Sequence, residues 1–147
     1  MKVSTKGRYG LRAMVDLAIH STEGHVALNA VADRQDISVN YLEQVFSTLR
    51  KAGLVKSIKG SQGGYLMAMQ PSQMTVGMIL RALEGKLVVV DETENTGAQK
   101  SVQHCIQKMV WDVMTETVND MVDHVTLEDL VNEYENLSGK DTSVYYI

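Results

Sequence analysis

The chain has 147 residues, 44% of them hydrophobic and 5% aromatic, with a formal net charge of −4. That size fits one domain with at most a small appended element, and the apolar content excludes wholesale disorder. No apolar run approaches the ~20 residues that a membrane helix needs. The opening Met1-Lys2-Val3-Ser4-Thr5-Lys6 has charge but no apolar stretch behind it, unlike a secretory signal. The single cysteine, Cys105, excludes an intramolecular disulfide framework and a cysteine-based zinc finger. The expectation is a soluble cytoplasmic protein with no membrane partner, no metal and no cofactor.

The charge is unevenly spread. Residues 1–66 carry nine Lys/Arg against five Asp/Glu, a net +4; residues 67–147 carry five against thirteen, a net −8. A basic half suits a polyanion such as nucleic acid, and an acidic half does not.

In chain order, Leu11, Met14, Val15, Ala18 and Ile19 fall on one face of a first helix, from about Ser4 to His20. A short second helix is expected over Asn29–Gln35, with Asn29 as N-cap. After the turn Asp36-Ile37, Ser38 caps a third helix, Val39–Ala52. Its buried stripe is Leu42, Val45, Phe46 and Leu49, and Gly53 is its C′ residue. Two short strands, Leu54–Ile58 and Tyr65–Met69, flank the loop Lys59-Gly60-Ser61-Gln62-Gly63-Gly64. Thr75 caps a helix that runs to Glu84 and stops at Gly85. Lys86–Val90 reads as a short strand or buried loop, and Asp91–Lys100 as a polar loop.

The longest periodic segment follows. Val102, Cys105, Ile106, Met109, Val110, Val113, Met114, Val118, Met121, Val122 and Val125 advance in steps of one, three and four. One helix from about Ser101 to Asp123 accounts for them. Thr126 with Asp129 resembles a capping box for a last helix, Leu127 to about Glu135.

Helix, helix, turn, helix and a hairpin with a glycine-rich tip is the order of a winged helix-turn-helix: a mainly α fold with a small β wing. The winged unit covers residues 1–85, the linker and long helix residues 86–136, and the tail residues 137–147. The third helix would enter the major groove, where Gln44 suits adenine and Glu43 can accept from cytosine. Ser38, Asn40 and Ser47 can reach phosphate or base edges, and Tyr41 a sugar or phosphate. Lys59, Ser61 and Gln62 sit on the wing loop, where Gly60, Gly63 and Gly64 would supply positive φ and close backbone approach. Lys2, Lys6, Arg8, Arg50, Lys51 and Lys56 are candidates for phosphate neutralisation. No Gly-Lys-Ser/Thr follows the glycine-rich loop, which disfavours a nucleotide-binding loop. The long apolar stripe exceeds what so small a domain covers, so it reads as a two-fold dimerisation helix. Trp111 lies off that stripe, placed to pack between the helix and the partner's DNA-binding domain. Two reading heads then match two half-sites one or more ~34 Å turns apart.

Ser4-Thr5-Lys6-Gly7-Arg8-Tyr9-Gly10-Leu11, Tyr41-Leu42-Glu43-Gln44, Ala52-Gly53-Leu54-Val55 and Gly63-Gly64-Tyr65 together resemble the Rrf2 family of bacterial winged-helix repressors. The resemblance covers residues 2 to about 135. It implies a homodimer, a long dimer helix and binding to imperfect palindromes in double-stranded DNA, often overlapping promoters. The iron–sulfur branch of that family carries three cysteines and a histidine around the loop before the long helix. Cys105 matches the last of the three, Lys108 stands where the histidine is expected, and one thiolate cannot hold a cluster. The ending Tyr145-Tyr146-Ile147 is similar to that of the cysteine metabolism repressors, which dock on O-acetylserine sulfhydrylase. The resemblance therefore implies a repressor of cysteine or sulfur genes, controlled by an enzyme that grips the tail. Two alternatives stand beside it. One is a repressor sensing redox state through Cys105 or a small effector, and the other is a tail-mediated module that regulates an enzyme. No Ser/His/Asp grouping, metal spacing or paired carboxylates suggest catalysis, and His20, His25, His104 and His124 are scattered.

Overall fold

The computed structural model describes the backbone of residues 1–91 and 101–144, and side chains as far as residue 139. Residues 92–100 and the tail residues Tyr145, Tyr146 and Ile147 lie outside the described residues. Helices α1 (Thr5–His20), α2 (Leu28–Gln35) and α3 (Val39–Lys51) precede strands β1 (Val55–Ile58) and β2 (Gly64–Met67), and then α4 (Val76–Glu84). Further on come α5 (Val102–Ile106), a π-helical turn (Gln107–Trp111), α6 (Asp112–Asp123) and α7 (Leu127–Val144). The fold is mainly helical, with a two-stranded antiparallel wing that pairs Val55 with Met67 and Ile58 with Gly64. Among the described residues no helix is long and apolar enough to cross a membrane.

Local chemistry sets most boundaries. The hydroxyls of Ser4, Ser38 and Thr75 accept from the amides of Gly7, Tyr41 and Met78 at the starts of α1, α3 and α4. At the end of α3, the Leu54 amide bonds back to the Leu49 carbonyl (3.0 Å) and the Gly53 amide to that of Arg50 (2.9 Å), with Gly53 at φ 80°. These two bonds form a Schellman cap. They engage the Leu54 amide, so β1 begins at Val55 and not at Leu54. The reciprocal capping box between Thr126 and Asp129 starts α7.

Several expectations need correction. Asn29 sits inside α2 and Ala27 is the N-cap residue, because Val26 is held extended by its pairing with Tyr65. Strand β2 ends at Met67 and not at Met69. Lys86–Val90 forms no strand; it runs along α6 with Leu87 buried and the Val89 amide on the Thr115 hydroxyl (3.0 Å). The long helix is continuous but widens by one residue at the π turn, where the Asp112 amide reaches back to Gln107. Helix α7 continues past Glu135 to Val144; an exposed Gly139 costs only about 1 kcal/mol and does not stop it.

The core is built from Met14 and Leu17 of α1, Leu42, Phe46 and Leu49 of α3, Met74, and Ile79 of α4, with Leu127 closing it from α7. The buried face of α1 is centred on Gly10, Ala13, Met14 and Leu17. Leu11, Val15 and Ile19 are only half-buried, and line a groove of about 650 Å³ against Leu130, Tyr134 and Leu137 of α7.

Among the described residues one charge lies inside: Asp16 is 2% exposed. Arg34 meets it with a fork, Nη2 to Oδ1 at 2.8 Å and Nε to Oδ2 at 3.0 Å, and Gln35 Nε2 donates to Oδ2 at 2.9 Å. The carboxylate in turn raises the Arg34 pKa, chiefly through that hydrogen bond. A buried carboxylate is tolerable only when its lone pairs are filled, so this fork fixes α2 against α1. Arg34→Met leaves Asp16 with one side-chain donor. The substitution is expected to cost about 3 kcal/mol, read as a shift of the urea midpoint at constant m value. A loss below about 0.5 kcal/mol would show the fork to be ornamental.

Candidate nucleic-acid interface

Helix α3 presents two faces. Leu42, Val45, Phe46 and Leu49 are buried. Asn40, Glu43, Gln44 and Lys51 are exposed on the other side, with Ser47 half-buried among them. The spacing of 40, 43, 44, 47 and 51 places these five residues on one stripe. Before α3, Asp36 adopts the left-handed conformation (φ 53°), which a short polar side chain tolerates, and turns the chain from α2 into α3. Ser38 is exposed; its oxygen accepts the Tyr41 amide, which leaves its O–H to donate outward. Tyr41 is half-buried with its ring edge-on to Tyr9 at 6.0 Å, and Arg12 covers the other ring at 5.2 Å. Tyr41 thus joins α3 to α1.

The wing loop carries Lys59, Ser61 and Gln62, all exposed. Of its three glycines only Gly60 has positive φ (114°). Gly63 and Gly64 are needed for close approach instead: a Cβ would lie 2.1 Å from the Ile58 carbonyl oxygen and 2.2 Å from that of Val26. Besides Val55, which is buried in the core, further contacts hold the wing to the body. Val26 and Tyr65 exchange backbone bonds of 2.9 Å. The Tyr65 ring lies on Phe46 at 4.9 Å. His25, in its Nε2–H tautomer, donates to the Gln62 carbonyl at 2.6 Å. The wing tip therefore stands at a set distance from α3. Asn29, Glu43, Ser57, Lys59 and Ser61 line an open cleft between the start of α2, α3 and the wing.

The structure thus gathers Asn40, Glu43, Gln44, Ser47 and Lys51 on one helix face, with Lys59 and Ser61 across the cleft from Glu43. Lys6 and Arg8 stand apart on the first turns of α1. Arg8 Nη2 donates to the Thr5 hydroxyl (3.1 Å), and Arg8 lines the α1–α7 groove. His25 and Asn29 are additions to the candidate surface: the sequence pattern offered Asn29 only as a helix cap and gave His25 no role. Each precedes or opens a helix, and their nearness to the wing depends on the Val26–Tyr65 pairing, which no local motif announces.

The long helix is exposed along most of its apolar stripe. Val102 is 77% exposed, Met109 67%, Val113 52% and Met121 57%. Cys105 lies exposed in the same stripe. Trp111 is half-buried on the π turn. No residue of α5 or the π turn is buried; only Val122, near the end of α6, is.

Comparison with known proteins places this arrangement. The family model described as "Rrf2: Iron-dependent Transcriptional regulator" matches residues 3–133. The HTH-type transcriptional regulator IscR of Pectobacterium atrosepticum is 39% identical over 143 residues, 96% of this chain and 85% of its own length. The structure of CymR, the global cysteine regulator of B. subtilis, superposes with a TM-score of 0.77 at 40% identity, over 90% of this chain and 98% of that one. IscR of T. potens superposes with a TM-score of 0.74 at 43% identity, over 93% and 90%.

The iron in the family's description finds no matching donors among the described residues. The chain's one cysteine is Cys105, and among the described residues no three His, Cys, Asp or Glu side chains converge as a metal site. A thiolate-held iron–sulfur cluster takes about four ligands, so these residues do not fit one. What the family supplies is the reading head. The chain belongs to the Rrf2 family: it is a DNA-binding, winged-helix transcriptional regulator and not an enzyme.

Proposed function

We propose that this protein is a homodimeric repressor that reads an imperfect palindrome in double-stranded DNA and controls genes of cysteine or sulfur metabolism. The observation that carries the reading is the pairing of an exposed polar face on α3 with an exposed apolar face on the long helix. The first offers donors and acceptors to a partner such as base edges. The second needs an apolar cover, and a second copy of the same helix provides it symmetrically. Gln44 reads adenine and Glu43 accepts from cytosine. Ser38, Asn40, Tyr41 and Ser47 contact sugar, phosphate or base edges. Lys51, Lys6 and Arg8 neutralise phosphates, and Lys59, Ser61 and Gln62 bring the wing to the backbone or minor groove. A dimer seated over a promoter excludes polymerase, which is repression.

Selection from duplexes with a randomised core tests this directly. The full chain is expected to enrich a two-fold symmetric site. Gln44→Ala should cost ~1–3 kcal/mol on that site and relax preference at one base pair in each half. Lys51→Ala and Lys59→Ala should weaken all duplexes alike and reduce the salt slope by about one each. Enrichment of no site, or Gln44→Ala binding equal to wild type, removes the assignment of α3.

The sulfur assignment rests on two supports: the likeness to the global cysteine regulator and the chain's ending Tyr145-Tyr146-Ile147. A free carboxylate on an apolar residue imitates an amino-acid substrate, and backbone N–H groups of an enzyme site can hold it. The partner in this reading is O-acetylserine sulfhydrylase. Calorimetry of the full chain against that enzyme should show binding that disappears when Ile147 is deleted. Heat unchanged by the deletion, or no binding, would disconnect the tail from sulfur control.

A further inference from the structure

The long helix is joined to the reading head almost entirely at one end. The apolar part of the joint has four buried residues, Val76 and Leu80 of α4, Leu87, and Val122 of α6, with Val3, Leu11, Val125 and Leu130 packed against them part-buried. Backbone bonds add to it, from Val76 to the Val125 carbonyl (2.8 Å) and from Leu127 to that of Met74 (2.9 Å). Over this joint lies a polar clamp. Arg81, in the last turn of α4, donates through Nη1 to Asp123 Oδ1 (2.7 Å) and through Nη2 to Asp123 Oδ2 and Asn119 Oδ1 (both 2.8 Å). Asn119 passes the restraint on, donating to the carbonyls of Leu87 and Thr115 (both 2.8 Å). Gly77 makes room for it: a Cβ there would lie 2.1 Å from Asp123 Oδ1 and 2.8 Å from Arg81 Nη1.

Stability does not explain the clamp. Arg81 and Asp123 side chains are 36% and 43% exposed, and exposed ion pairs contribute little to folding. Its geometry is the informative part. A planar fork with three bonds fixes direction as well as distance, which a single point charge does not. The Arg81 guanidinium also holds the Asp123 carboxyl below the ordinary carboxylate range, chiefly through that hydrogen bond.

We infer that the Arg81–Asp123–Asn119 clamp sets the angle between reading head and long helix, and thereby the half-site separation that the dimer accepts. The inference rests on the dimeric reading proposed above. From Val102 to Asp123 the helix has 22 residues, a lever of about 33 Å. A 10° change at the clamped end moves the far end by about 6 Å, close to two base-pair steps of about 3.4 Å. One added base pair also rotates the half-sites by about 34° about the DNA axis. A loosened clamp therefore lets the two heads meet half-sites that a rigid one rejects.

The test uses the full chain and the symmetric site obtained by selection, remade as duplexes with one base pair removed, one added or two added between the half-sites. Wild type is expected to lose about 10-fold in affinity or more for each altered spacing. Arg81→Ala, Asp123→Asn and Gly77→Ala should each flatten that loss to within about 3-fold. Affinity for a single half-site and the dimer sedimentation coefficient should not change. Asp123→Asn preserves the side chain's size and Gly77→Ala preserves both charges, so the outcome does not hang on one variant's folding. Variants that fold, dimerise and discriminate spacing as sharply as wild type would overturn the inference, as would a wild-type dimer indifferent to spacing. A monomeric wild type, or one that enriches no symmetric site, would instead remove the proposed function itself.

Discussion

An apolar helix face must be covered, and this protomer leaves one open. Val102, Ile106, Met109, Val110, Val113 and Met114 all lie exposed on the α5, π-turn and α6 assembly, while Met14 and Leu17 of α1, Leu42, Phe46 and Leu49 of α3 and Ile79 of α4 are buried in the core. Burial is worth about 25 cal/mol per Å² of apolar surface, so several large side chains left in water favour association strongly. The rest of the molecule is arranged around that uncovered face. The reading head sits at one end of the long helix, fastened by the Arg81 fork and an apolar joint, and the remainder of the helix extends away from it.

The reading head is in contrast a finished unit. Its core is closed by Leu127 from α7, its buried carboxylate is filled by Arg34 and Gln35, and its wing is held by the Val26–Tyr65 pairing. These contacts leave α3 and the wing tip with a fixed mutual position and an exposed polar surface. A pre-formed surface of this kind can meet a ligand without a folding cost on binding. The net negative charge of the whole chain is unevenly spread: the surplus carboxylates fall after residue 66, and residues 1–66, which carry α3 and the wing loop, are net positive.

What was legible in the sequence was the chemistry of neighbours. Ser38, Thr75, the Gly53 cap and the Thr126–Asp129 box each act within a few residues, and each helix start or stop they announce is present. The α3 stripe was legible too, because one helix face meets one core. Helix α1 was harder. It packs against α4 and α7 on different sides, and its most buried positions include Gly10 and Ala13, which give little periodic signal. The π turn is invisible in a pattern already mixing steps of one, three and four. Long-range polar pairs leave no local trace: Asp16 and Arg34 are 18 residues apart, Arg81 and Asp123 are 42. The exposed positions of α3 and the wing loop were readable from spacing. The holding roles of His25 and Tyr65 were not, since they arise only when the wing folds back on the α1–α2 connection.

The uncovered stripe has a direct consequence in solution. Sedimentation equilibrium of the full chain at micromolar concentration should return twice the protomer mass. Met109→Glu or Val113→Glu, each placing a charge in the stripe, should return the mass of one protomer while preserving the far-ultraviolet circular dichroism of the folded head. A wild-type protein that sediments as a single protomer would contradict the proposed dimer.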